Sequence, residues 1–113
     1  MKYFIFVFNL LLLLMAGGAV MAAPAEETVV ELRFENRRFM PQTLNVPANR
    51  PFKIRIVNSS KEAIEFESFK INREKVVGPG ETVTVNVPAL KPGSYDFYDD
   101  FHRDVPEGTI VAK

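Results

Sequence analysis

An all-β, Greek-key sandwich of about seven strands is what this 113-residue sequence predicts, on three observations. Apolar residues recur with a period of two, turn-forming residues punctuate the chain at short intervals, and no window beyond residue 25 reads as a long amphipathic helix. Val30, Leu32 and Phe34 alternate with Glu31 and Arg33 to give the first strand. Pro41 and the run Pro47-Ala48-Asn49 then bracket a short strand from Leu44 to Val46. Phe52, Ile54 and Ile56 alternate with Lys53 and Arg55, ahead of a turn at Asn58-Ser59-Ser60. A strand over Ile64 to Phe69 precedes the Gly78-Pro79-Gly80 turn. Val83, Val85 and Val87 alternate with Thr82, Thr84 and Asn86 up to Lys91-Pro92-Gly93, and strands at Tyr95 to Tyr98 and Thr109 to Ala112 close the chain. Strands this short and evenly spaced are the pattern of an antiparallel sandwich.

The first residues read differently. Met1-Lys2 is followed by the apolar stretch Tyr3 to Met15, then by small residues. A basic start, an apolar core and a small-residue cleavage site make a secretory signal peptide over residues 1–22. Cleavage after Ala22 or after Ala25 satisfies the small-residue rule equally well, and the folded domain occupies 26–113. The apolar run is short for a bilayer span, which needs about 20 residues. The expectation is therefore a periplasmic protein, with no membrane insertion once the signal is removed.

A domain of this size must stand on one core, without disulfides, because the chain has no cysteine. Seven of its ten phenylalanines, at 34, 39, 52, 66, 69, 97 and 101, are available to build that core. Without Lys2 the charge is 13 basic against 14 acidic residues. That balance excludes the clustered basic excess a nucleic-acid partner requires.

Chemistry concentrates near the C-terminus. His102 is the only histidine, and it follows the adjacent carboxylates Asp99 and Asp100. Like charges this close repel, and a bound cation relieves them. Glu65 and Glu67 are two residues apart, so on a strand they share a face, with Phe69 also on it, while Ile64 and Phe66 share the other. Either face can be the inner one on spacing alone. Glu107 and Met40, the one methionine beyond residue 25, are lesser candidates, each with a plain reading as a turn or packing residue. Hydrolytic chemistry has little to work with. There is no Cys, Ser59, Ser60 and Ser94 fall in turns, and no glycine-rich loop opens a helix.

Several segments taken in order carry a resemblance. They are Phe39-x-Pro41-x-x-Leu44-x-Val46-Pro47-Ala48, Ile56-Val57-Asn58, Ile64-Glu65-Phe66-Glu67-Ser68, Val77-x-Pro79-Gly80, Pro92-Gly93-x-Tyr95-x-Phe97 and the His102 loop. Together they resemble a cupredoxin domain, and the Glu-Phe-Glu-Ser run and the acidic-Phe-His triplet resemble the small periplasmic cupredoxins of bacterial ferrous-iron uptake systems. The resemblance places Glu65 where a blue-copper protein has its first His, Asp99 at the Cys, His102 at the second His and Glu107 at the axial Met. A soft sulfur site thus becomes a hard one. Carboxylates with one imidazole suit Fe(II), Mn(II), Zn(II) or Cu(II) and do not make a type 1 centre; of these the resemblance points to copper(II) or iron.

The resemblance implies metal ligation by Glu65, Glu67, Asp99, Asp100 and His102, with Glu107 and Met40 as lesser ligands. It also implies a role in handling iron or copper for a membrane iron permease or another uptake component, with copper-assisted oxidation of Fe(II) left open. A metal-free sandwich serving as a protein-interaction subunit is the alternative.

Overall fold

The computed structural model describes residues 17–18 and 26–113. The expected signal peptide therefore lies almost wholly outside the described residues. Among the described residues there are nine strands and no helix, and so none long and apolar enough to cross a membrane.

The strands are β1 (Val29–Glu35), β2 (Arg38–Met40), β3 (Thr43–Val46), β4 (Phe52–Asn58), β5 (Ile64–Ser68), β6 (Arg73–Val77), β7 (Thr82–Val87), β8 (Gly93–Asp99) and β9 (Gly108–Ala112). They form a four-stranded sheet ordered β2-β1-β4-β7 and a five-stranded sheet ordered β3-β9-β8-β5-β6. All seven expected strands are present, and β2 and β6 are additions. Pairing is also mixed rather than purely antiparallel, because β1 runs parallel to β4 and β3 parallel to β9.

Local chemistry accounts for the added strands. Asn36 and Arg37 both have positive φ, 52° and 56°, as a two-residue turn matched to strand twist demands. That turn folds β2 back on β1, pairing Phe34 with Phe39. β6 carries Arg73, Glu74 and Lys75 on a sheet edge, where no apolar alternation is required. It curls toward the other sheet, and the Arg73 Nε donates to the Asn86 carbonyl at 2.8 Å.

Leu32, Ile54, Ile56, Ile64, Phe66, Phe97 and Ile110 are fully buried between the sheets. A row of rings crosses from one sheet to the other: Phe34 to Phe39 at 5.2 Å, Phe39 to Phe97 at 5.1 Å and Phe97 to Phe66 at 5.4 Å. The first two are edge-to-face and the third is tilted, and such ring pairs add to simple burial. Phe69 and Phe101 do not join them and are 87% and 49% exposed. β5 ends at Ser68, so Phe69 falls in the following turn, and Phe101 lies in the loop beyond β8.

Candidate metal centre

The spacing of Glu65 and Glu67 left their face open, and β5 decides it. Ile64, Phe66 and Ser68 are buried while Glu65 and Glu67 are half-buried on the outer face. The strand begins at Ile64, so the inward position at its start belongs to Ile64 and not to Glu65. On that outer face Glu67 pairs in register with Glu74 on β6 and with Tyr98 on β8. The Asp100 amide donates to the Glu65 carbonyl at 2.9 Å, which brings the loop after β8 onto the same surface. One carboxylate oxygen from each of Glu65, Glu67 and Asp100 lies within 4.8 Å of the others. Arg103 stacks 3.8 Å over the Tyr98 ring and reaches Asp100 at 3.7 Å and Glu107 at 3.9 Å.

This crowding has an electrostatic cost. Partial burial against the sheet raises the Glu65 carboxyl above its ordinary value, and Glu74, Asp100 and Glu67 raise it further. The folded chain thus holds a proton that the unfolded chain releases. Glu65 costs no stability below its unfolded pKa, and its cost grows as pH climbs toward the raised folded value. Asp104 acts oppositely, because the Arg37 guanidinium bonded to it at 2.6 Å holds its carboxyl low. Its contribution is present above the unfolded value and is lost as pH falls through the lowered one. Glu65→Gln should therefore raise the melting temperature of chelator-treated protein at pH 7. The gain should shrink as pH falls from the raised folded value and vanish near the unfolded value of 4.5, a comparison that thermal melts from pH 4 to 7 can make.

Asp99 and Asp100 diverge although adjacent. Asp99 pairs in register with Phe66 and turns inward, with a fully buried side chain. Its Oδ1 accepts from the Glu65 and Phe101 amides, each at 3.0 Å, and its Oδ2 lies 2.7 Å from His102 Nδ1. The other imidazole nitrogen, Nε2, lies 2.9 Å from Glu62 Oε2. His102 therefore sits between two carboxylates and is outside the group formed by Glu65, Glu67 and Asp100.

Glu62 was not singled out from sequence, where it reads as one charge in a polar loop. Its place is fixed by buried Asn58, whose Nδ2 donates to the Glu62 carbonyl at 2.8 Å and to Val77 and Gly78 carbonyls at 3.0 and 3.1 Å. The Asn-Ser-Ser sequence four residues earlier is the one signal that could have found it. Glu107 is exposed, its carbonyl accepting from Gln42 at 2.9 Å. Met40 is half-buried at the end of β2, in the opposite sheet from Glu65.

Two facing sheets, with the loop carrying Asp100 and His102 joining the last two strands, make a cupredoxin-like sandwich. This chain belongs to the cupredoxin-like domain family, which it matches over residues 5–112. An uncharacterized protein of Rickettsia prowazekii is 34% identical over 83 residues, covering 74% of this chain and 66% of that relative. Auracyanin A, a "blue" copper protein from Chloroflexus aurantiacus, superposes with a TM-score of 0.66 at 18% identity, over 78% of this chain and all of its own. The metal-binding domain of the Streptococcus pneumoniae D39 Cu(I)-exporting P-type ATPase gives 0.64 at 12% identity, over 75% of this chain and 84% of that domain. At these identities the two solved structures share the fold.

The residues do not fit a type 1 copper centre. There is no sulfur from cysteine, the inward position opening β5 carries Ile64, and the buried Asp99 carboxylate is already bonded to two amides and an imidazole. Soft thiolate donation, the basis of such a centre, has no source here.

Proposed function

We propose that this is an exported, metal-handling member of the family that carries a divalent cation, iron(II) or copper(II), as cargo for a periplasmic iron-uptake system. Glu65, Glu67 and Asp100 collect the ion on the outer face of β5, with Asp99 and His102 shaping the adjoining turn. A membrane iron permease is the partner to which such a cargo would pass. The observation that carries this reading is the convergence of those three carboxylates within 4.8 Å. Carboxylate oxygens bind divalent cations, and such an ion would offset the repulsion that raises the Glu65 pKa.

The test is anaerobic titration calorimetry with Fe(II), and aerobic titration with Cu(II), on wild type and a Glu65→Gln/Glu67→Gln variant. Fe(II) affinity should fall at least about tenfold in the variant, since ligand-shell changes alone cost 10- to 100-fold. The Cu(II) complex should be pale, because the intense blue of a copper–thiolate bond has no donor. A second reading, a metal-free interaction subunit, is favoured by the exposure of Phe69 and Phe101. Equal Fe(II) binding by wild type and variant would leave that reading standing and remove the first.

A further inference from the structure

Asp100 has two claimants. One is the ion that would join it to Glu65 and Glu67, whose carboxylate oxygens lie within 4.8 Å of its own. The other is already beside it: the Arg103 guanidinium, 3.7 Å from Asp100 and 3.9 Å from Glu107. Both contacts are too long for hydrogen bonds. Arg37 and Arg55 are held differently, bonded to Asp104 at 2.6 Å and to Glu31 at 2.9 Å. What steadies Arg103 is the Tyr98 ring 3.8 Å away, and a stacked guanidinium can keep its place while exchanging carboxylate partners. Tyr98 is in register with Glu67, so this half-exposed cation stands at the border of the carboxylate group.

Charge decides which way Arg103 pushes. In the empty site it lies next to a group of three mutually repelling carboxylates, and its attraction to them is at its greatest. A divalent ion cancels most of that negative charge, so the same guanidinium is drawn less strongly to the loaded site than to the empty one. A neighbour that favours the empty state weakens loading.

We propose that Arg103 is a resident counter-cation that competes with the divalent ion for Asp100 and so sets how readily the ion is released. Loading moves Asp100 from the guanidinium to the ion, while Arg103 keeps its seat on Tyr98 and its contact with Glu107. Unloading reverses the exchange. A site loosened in this way suits a carrier, which must give up what it binds. The inference rests on the three-carboxylate reading of the metal site and assigns that site a residue that is not a ligand.

Anaerobic Fe(II) calorimetry on untagged wild type, Arg103→Gln, Arg103→Lys, Asp100→Asn and Arg103→Gln/Asp100→Asn tests it. Arg103→Gln should bind Fe(II) about two- to fivefold more tightly, the scale of one exposed ion pair. Arg103→Lys keeps the charge and should stay closer to wild type than Arg103→Gln does. In the Asp100→Asn background, where the contested carboxylate is gone, the gain from Arg103→Gln should shrink below about 1.5-fold. If Arg103 instead holds Asp100 in place for the ion, Arg103→Gln would weaken binding, about 10- to 100-fold for a lost ligand-supporting contact. That weakening, an unchanged affinity, or a gain of the same size in Asp100→Asn would each overturn the proposal. Wild-type binding with no gain in Arg103→Gln removes this inference alone, whereas no Fe(II) binding in either protein removes the metal reading and the inference with it.

Discussion

Asp99→Ala should destabilise the protein by about 3–5 kcal/mol, among the largest effects available to any single polar substitution here. The carboxylate satisfies the Glu65 and Phe101 amides and orients His102 while fully buried. Truncation leaves two inward donors and one ring nitrogen facing a cavity, and each orphaned buried donor costs about 1–3 kcal/mol. For a domain of this size, 1 kcal/mol corresponds to roughly 4–8 °C in melting temperature. A drop of at least about 12 °C is therefore expected, together with an earlier urea midpoint at unchanged m-value. Asp99→Asn should cost less, because its carbonyl oxygen still accepts from the amides while its NH₂ faces the imidazole. A loss below about 1 kcal/mol in the alanine variant would show that water replaces the carboxylate and that Asp99 does not organise the turn.

Asp99 also shows where reading the sequence stops. Strands β1, β4 and β7 are legible because each buries alternate apolar residues, as Phe52, Ile54 and Ile56 do. The three-residue β2 hides a single side chain, Phe39, and β6 exposes three successive charged or apolar residues at an edge, so neither leaves a period to detect. The parallel pairing of β1 with β4 joins segments 24 residues apart in register, which no local pattern encodes. At the site, the shared face of Glu65 and Glu67 follows from a spacing of two. Its orientation needed Ile64 and Phe66 to be buried. Nothing in Asp99-Asp100 says that one carboxylate turns inward and the other outward, because a buried, hydrogen-bonded Asp is an exception to composition-based expectation. It is the register of Phe66 with Asp99 that sends that side chain inside. Glu74 and Glu62 join the chemistry only through such pairing and loop bonding, and so were invisible one strand at a time.

Gly108→Ala should cost about 3 kcal/mol or more, at the upper end of overpacking effects. Gly108 opens β9 directly opposite Phe97 on β8, and an added Cβ would fall far inside contact distance of the Phe97 Cε2 and Cζ atoms and 2.9 Å from the Gln42 carbonyl oxygen. Neither neighbour can retreat. Phe97 is fully buried between the Phe39 and Phe66 rings at 5.1 and 5.4 Å, and the Gln42 carbonyl is held by the Thr109 amide at 2.8 Å. The loop bearing Asp100, His102 and Arg103 closes at this residue, so strain here also reaches the surface where Glu65, Glu67 and Asp100 converge. Chemical denaturation of Gly108→Ala in wild-type and Phe97→Leu backgrounds isolates the cause. A shorter, non-aromatic side chain makes room for the methyl group, so the penalty should be smaller in the second background by at least about 0.5–1 kcal/mol, the range in which contacting residues couple. Equal penalties in both backgrounds would shift the cause from the ring to the Gln42 carbonyl.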